Sequence, residues 1–302
     1  MPGNALQTRH DARMKALLHE LRLMLIALQF LTRVPVPAWV GFEPAWLQAC
    51  MRYFPLVGAL VGLAGALVLA ASAFWWPPMV AVILSMAFTV WLTGGFHEDG
   101  LADTCDGLGG AVSRERALTI MKDSRIGSYG ALGLILLLLL KAAVLASLAT
   151  PLFNELDSAE SSHVRQVLLA WTMMAMIWCH AASRLVPVCL TRVLRYAGDL
   201  DHAKAKPLAM QVPWSNVMAA VLITGLLAAV MVFWWGFTAW PVGTLLSALV
   251  RSTLLMALGA TVCARWFHKR LGGFTGDTLG ASQQITEVMG LLAWLAVVHP
   301  VP

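Results

Sequence analysis

Gly130-Ala131-Leu132-Gly133-Leu134-Ile135-Leu136-Leu137-Leu138-Leu139-Leu140-Lys141-Ala142-Ala143-Val144-Leu145-Ala146 carries one charged side chain in seventeen residues. With its flanks, over 127–149, the run is long enough to cross a hydrocarbon layer, which takes about 20 apolar residues. Inside that layer each backbone amide must find its partner within the segment, so the run is predicted to be a helix. The same reading applies to 54–74, 77–95, 166–189, 214–235 and 241–262. A shorter apolar segment, 285–299, contains Glu287 and is a weaker candidate. The run Leu23–Leu31 is too short to span and reads as an interfacial or re-entrant helix. The expected fold is therefore all-α: a polytopic membrane bundle of about six to seven transmembrane helices plus the N-terminal helix. No repeat or linker divides the chain, so residues 1–302 are expected to form one membrane-embedded domain.

Composition agrees. Of 302 residues, 59% are hydrophobic and only 12% charged, against about a quarter charged in soluble domains. Thirteen Trp and three Tyr suit a protein with many membrane–water interfaces, where indoles anchor at headgroup depth. The five cysteines, Cys50, Cys105, Cys179, Cys189 and Cys263, are scattered and never form C-x-x-C, which indicates neither a disulfide frame nor a zinc site. The N-terminus shows no cleavable signal, because Gln29 interrupts its apolar run and no small-residue cleavage site follows.

The net charge of +5 has a topological origin. Nearly all Lys and Arg fall in 1–53, 96–126, 190–213 and 263–284. The alternate segments are Trp75-Trp76-Pro77-Pro78, an acidic loop with Glu155, Asp157 and Glu160, and Trp235 to Trp240, with Arg165 their only basic residue. Basic loops inside and neutral or acidic loops outside is the expected bias of a multi-pass protein. The bilayer is thus the expected partner and nucleic acid is not. A homo-oligomer is compatible with the sequence but not specified by it. The C-terminus falls outside if 285–299 crosses.

Chemistry concentrates in the basic loops. In Gly94-Gly95-Phe96-His97-Glu98-Asp99-Gly100-Leu101-Ala102-Asp103-Thr104-Cys105-Asp106-Gly107, three aspartates stand at i, i+4 and i+7. On a helix Asp99, Asp103 and Asp106 lie along one face within roughly 60°. Like charges on one stripe repel, so the pattern makes sense around a cation, and hard oxygen donors favour Mg²⁺, Mn²⁺ or Ca²⁺. His97 beside Asp99 can donate to a phosphate or orient a carboxylate, and H-E-D is not the zincin H-E-x-x-H.

Downstream, Lys122-Asp123-Ser124-Arg125 offers two cations for phosphate oxygens and a further carboxylate. A positive-inside anchor before the next helix would also explain the cations. A third cluster, Gly272-Gly273-Phe274-Thr275-Gly276-Asp277, is a Gly-rich turn leading into a helix, whose amides suit an anion while Asp277 can complete a metal site. Glu287, Lys141, Arg184 and Arg251 are charges in apolar surroundings, costly unless paired. Arg184, near the cytoplasmic end of its helix, is a candidate for a substrate anion, whereas Arg251 reads as a snorkelling side chain. Carboxylate-bound Mg²⁺ beside Lys and Arg at a membrane surface fits phosphoryl transfer.

The order of these motifs resembles the cobalamin (5′-phosphate) synthase family, the adenosylcobinamide-GDP ribazoletransferases. The likeness runs from Phe30-Leu31-Thr32-Arg33-Val34-Pro35-Val36-Pro37 through the Gly94–Gly107 and Ile120–Arg125 stretches and Arg195-Tyr196-Ala197. It continues to Gly272–Ala281 and Glu287. It departs at Glu98, where the family usually carries Leu, and in the loop after Arg195. The resemblance implies that adenosylcobinamide-GDP reacts with α-ribazole, or its 5′-phosphate, to give adenosylcobalamin, or its phosphate, and GMP. It implies Mg²⁺ as cofactor at Asp99, Asp103 and Asp106, with Asp123 or Asp277 nearby. Lys122, Ser124, Arg125, Arg33, Arg184, His97, Gly273 and Thr275 would contact substrate. It also implies a bacterial inner membrane with the active-site loops cytoplasmic.

Two other classes compete. CDP-alcohol phosphatidyltransferases share a spaced Asp motif, but theirs reads D-G-x-x-A-R, and here Ala102 is followed by Asp103. A cation-coupled transporter could use Glu287, Lys141 and Arg251, yet the chain lacks internal repeats and its carboxylates cluster at one face rather than at the midplane.

Overall fold

Apolar runs that must satisfy their own amides become helices, and the computed structural model is built of them. It describes residues 3–110, 112–150, 159–198, 211–237 and 240–298, with side chains undescribed at 3–9 and 159–166. The elements are α1 (Gly3–Leu31), α2 (Pro44–Ala49), α3 (Phe54–Ser72), α4 (Pro78–Thr93), α5 (Phe96–Gly109), α6 (Arg114–Ile120), α7 (Ser128–Ala149), α8 (Ala159–Val193), α9 (Trp214–Trp235), α10 (Val242–Leu271) and α11 (Gly276–Val298). Among the described residues, six helices are long and apolar enough to cross a membrane, and a seventh if the bent pair α4–α5 counts as one span. The all-α, multi-span expectation holds. The acidic residues Glu155 and Asp157 and most of the loop after Arg195 lie outside the described residues.

Several boundaries move, each for a physical reason. The run 77–95 ends as a helix at Thr93, because Gly94 and Gly95 take left-handed φ of 72° and 71°, which only glycine adopts cheaply. The chain then turns by 89° into α5. The weak candidate 285–299 is the second half of a 23-residue helix, α11. Its first half carries Ser282, Gln283 and Gln284, which are buried, so the segment looked too polar while facing protein rather than lipid. Helix α10 runs on to Leu271 through Arg265, His268, Lys269 and Arg270, past the apolar stretch 241–262. Helix α1 extends well upstream of Leu23, but among its described side chains only Leu23, Ile26, Ala27 and Leu31 are buried, a one-sided stripe at helical spacing.

The core gathers around α8, which packs on α3, α10 and α11. Trp171, Trp235 and Trp294 interlock there, with Trp171 and Trp294 ring centroids 4.6 Å apart. Beside this apolar layer lies an ionic one. Glu287 on α11 is 1% exposed and receives Lys141 Nζ of α7 at 2.5 Å on Oε1. Its Oε2 faces His180 Nδ1 at 3.0 Å and Gln283 Nε2 at 2.6 Å, with Arg184 Nη1 at 3.8 Å. Three helices therefore meet on one carboxylate.

Removing one member of a buried ion pair strands the others and costs about 3–5 kcal/mol, whereas replacing the pair by apolar residues is often neutral. We expect Glu287→Leu to lower the unfolding midpoint of detergent-solubilised protein sharply, and Lys141→Met/Glu287→Leu to recover part of the loss. An unchanged midpoint for Glu287→Leu would show that the cluster carries no net stability.

Candidate active site

The bend after Gly95 sends α5 across the end of α11. Glycines let the two helices touch: a Cβ on Gly100 would fall 2.8 Å from the Asp277 carbonyl oxygen, and one on Gly280 would lie 3.3 Å from the His97 backbone. One side of α5 is thereby fixed against α11, burying His97 and Glu98, while the opposite side stays open.

Along the open side and the edge of the α11 contact lies a cleft of about 650 Å³, whose lining includes Arg33, Glu98, Asp99, Asp103 and Ser124. Asp99 is exposed and Asp103 half-buried. Arg33 reaches the cleft because its amide donates to the Leu92 carbonyl at 2.8 Å, anchoring the end of α1 to the end of α4. Its guanidinium then lies over Gly94, where a Cβ would come within 2.9 Å of Nε. Three carboxylates, a guanidinium and a hydroxyl from three separate sequence regions thus line one cavity.

The other predicted residues are placed elsewhere. Both Asp106 oxygens accept backbone amides at the start of α7, Oδ2 from Gly127 and Oδ1 from Gly130, each at 2.7 Å. This is an N-cap supplied by another helix, and it engages the carboxylate expected to complete the metal stripe. Asp123 pairs with Arg125 at 2.6 Å, and Arg125's hydrogen bonds hold the Asp123 carboxyl at about 2. Arg125 and Lys122 are exposed beside the cleft rather than in its wall.

Arg184 is 2% exposed and hydrogen-bonds His180, at 3.0 Å to its carbonyl oxygen, next to Glu287. His97, 4% exposed, shares with Arg184 a small apolar cavity of about 40 Å³ behind the cleft. At the α11 turn, Thr275 and Thr278 exchange backbone-to-hydroxyl hydrogen bonds, which caps the helix. Gly273 packs where a Cβ would collide with the Arg195 carbonyl, because Phe274 bridges to Tyr196. The backbone of Asp277 meets Gly100, as above. Gly273 and Thr275 are therefore explained by local architecture.

Among the described residues no three His, Cys, Asp or Glu side chains form a ready cage for a metal ion. The donor set nonetheless fits Mg²⁺, which is usually held by one or two carboxylates together with waters and substrate phosphates. Asp99 and Asp103 at an open cleft supply that number. Sequence reasoning missed the buried position of Glu98, which faces Gln284 of α11 at 2.9 Å. The motif contains the residue, but only the α5–α11 contact reveals its burial.

Comparison with known proteins gives a consistent result. The family model described as Cobalamin-5-phosphate synthase matches residues 23–295. An adenosylcobinamide-GDP ribazoletransferase of Leptothrix cholodnii is 54% identical over 283 residues, covering 94% of this chain and 98% of the relative. Proteins of the same name from Shewanella amazonensis and Polaromonas naphthalenivorans are 44% and 40% identical, covering 91% and 90% of this chain and 95% and 96% of theirs. No solved structure matches the chain.

Losing an N-cap costs about 0.5–2 kcal/mol. Asp106→Ala should therefore speed amide hydrogen exchange across 124–131 and lower the unfolding midpoint, while Asp99→Asn leaves both unchanged. Equal exchange in the two variants would remove the capping role.

Proposed function

Because the chain belongs to the cobalamin-5-phosphate synthase family, we propose that it joins adenosylcobinamide-GDP to α-ribazole, or its 5′-phosphate, and releases GMP. The product is adenosylcobalamin or its 5′-phosphate. The observation that carries this reading is the convergence of Asp99, Asp103, Arg33 and Ser124 on one open cleft at the break of a span. A hydroxyl of the ribazole attacks the phosphorus on the cobinamide side. A new P–O bond forms there as the hydroxyl gives up its proton to the surrounding water, and the P–O bond to GMP breaks with its electron pair leaving on GMP.

The chain's own residues supply placement and charge. Arg33 offers a planar fork to the diphosphate, and its backbone anchor to Leu92 keeps the fork over the cleft. Ser124 can hydrogen-bond a phosphate oxygen from the opposite loop. Lys122 and Arg125 stand exposed next to it, where they draw an anionic substrate in. Asp99 and Asp103 would hold Mg²⁺, which when bound neutralises charge on the diphosphate and on departing GMP. The cleft's openness suits a bulky corrinoid. The excess of Lys and Arg in these loops supports a cleft that opens on the cytoplasmic side of a bacterial inner membrane.

The CDP-alcohol alternative loses ground to the family match, and no observation favours a transporter: Glu287 and Lys141 are paired with each other rather than lining a path.

The test is GMP release by purified, lipid-reconstituted protein given adenosylcobinamide-GDP, α-ribazole phosphate and Mg²⁺, with chromatography of the corrinoid. Asp99→Asn and Asp103→Asn should each lower kcat at least about 100-fold and raise the Mg²⁺ requirement. Arg33→Ala should raise the KM for the corrinoid about 10-fold. No product from folded wild type would overturn the reading and turn attention to CDP-alcohol substrates. Full activity of Asp103→Asn at limiting Mg²⁺ would remove the metal assignment alone.

A further inference from the structure

Helix α10 carries a charge that the protein does not balance. Arg251 is exposed, and among the described residues it makes no hydrogen bond or ion pair. It stands on a face of the span that also exposes Leu254 and Leu258, where only lipid is left to meet it. Lys141 and Glu287, the charges of the ionic layer, are by contrast buried and paired. An ionised side chain facing hydrocarbon is costly and is ordinarily matched by a counter-charge.

Depth shows where that counter-charge is to be found. Arg251 lies nine residues into α10, about 13.5 Å from Val242 at 1.5 Å per residue. A further fourteen residues, about 21 Å, separate it from Arg265, the first basic residue at the cleft end of the helix. Trp240 precedes α10, and an indole favours headgroup depth. A headgroup layer of about 6 Å then leaves the Arg251 backbone about 7 Å inside the hydrocarbon. From there an arginine stem snorkels back to the phosphates of the leaflet remote from the cleft.

Arg251 also heads a groove of about 400 Å³ between α10 and α11, lined otherwise by Leu254, Leu255, Leu258, Ala293 and Ala296. The three leucines follow at three, four and seven residues, so they share the face of Arg251 and run from it toward the bilayer centre. The short side chains of Ala293 and Ala296 leave the trough open on the α11 side. A cation at the interface with an apolar trough leading inward has the form of a phospholipid, phosphate outermost and acyl chain below. A second copy of the chain is a poorer match. Every acid with a described side chain other than the buried Glu287 lies before α3, in 98–123 or at the start of α11, all at the cleft end of the bundle. Zwitterionic lipid brings its own cation to the phosphate, whereas an anionic lipid leaves the pair neutral.

We propose that Arg251 and the α10–α11 groove form a binding site for one anionic phospholipid. The guanidinium grips the headgroup phosphate through its planar fork, and an acyl chain lies along Leu254 and Leu258. The site is remote from the cleft and does not depend on the synthase reading.

The test is native mass spectrometry of full-length protein in detergent, titrated separately with phosphatidylglycerol and phosphatidylcholine of identical chains. Wild type should bind its first phosphatidylglycerol about five-fold more tightly than phosphatidylcholine. Arg251→Leu, which suits a lipid-facing position, should bring the two affinities within two-fold. Arg251→Lys should retain part of the preference, because the charge remains but the fork is lost. Ala296→Phe fills the trough and should weaken both lipids while keeping their ratio.

Equal affinities in wild type, or an undiminished preference in Arg251→Leu, would overturn the proposal and move the anionic lipid to the basic loops at the other end. Displacement of phosphatidylglycerol by inorganic phosphate would make the site one for a free anion. A dimer that persists without lipid and is lost in Arg251→Leu would make this face an interface between copies. If Arg251→Leu does not fold, Arg251→Gln decides by the same ratio of affinities.

Discussion

A carboxylate placed inside a membrane-spanning helix has to be neutralised. At the centre of a bilayer an uncompensated charge costs about 2.5–3.5 kcal/mol even on the lenient insertion scale. Glu287 meets this demand with Lys141 from α7, His180 and Arg184 from α8, and Gln283 from its own helix. The consequence is geometric. Because its acid is tied to two other helices, α11 sits inside the bundle, and its polar first half is buried against protein. That half then presents Gly280 and the Asp277 backbone to α5, so the ionic cluster determines where the cleft wall stands.

The second constraint is the broken span. Helix α4 has 16 residues, about 24 Å long at 1.5 Å per residue, short of a hydrocarbon layer of about 30 Å. The two left-handed glycines end it there, and the 89° turn takes α5 out of line with α4. A straight continuation would carry Glu98, Asp99, Asp103 and Asp106 along the axis of a span, where carboxylates are costly. The bend lets one face of α5 stay open while the other packs on α11. It also brings the carbonyl of Leu92 to the amide of Arg33, which joins a phosphate-binding candidate from the N-terminal helix to acids from the middle of the chain.

How much of this was legible depended on what each residue touches. Spans facing lipid, such as 127–149 and 214–235, announce themselves, because apolarity is the only property lipid selects. Helix α11 was half hidden for the opposite reason: Gln283 and Gln284 are compatible with a span only because α8 and α5 supply partners, and no window average reports that. The same limit governs the site. Asp99 and Asp103 emerged from their spacing. Arg33 entered only through family resemblance, since its contact depends on a carbonyl some sixty residues away. Gly273 and Thr275 resembled an anion-binding turn, yet the structure uses them to close a bridge and cap a helix.

Asp106 shows why a correct register can still mislead. Seven residues bring it within about 20° of Asp99 around the helix, so angular reasoning groups the two. Those seven residues also rise about 10 Å along the axis, whereas oxygens sharing one Mg²⁺ at about 2.1 Å must lie within roughly 4 Å of one another. Three carboxylates spread over that rise meet on a single ion only if both end side chains lean fully toward it, and α5 runs unbroken from Phe96 to Gly109. The far carboxylate instead meets the next available donors, the Gly127 and Gly130 amides at the start of α7. Oriented backbone dipoles there favour an anion in the same way a cation would. The stripe thus divides its labour by distance: its near end serves the cleft, and its far end holds the Asp-Ser-Arg loop against it, so that Ser124 and the neighbouring cations stand at the rim.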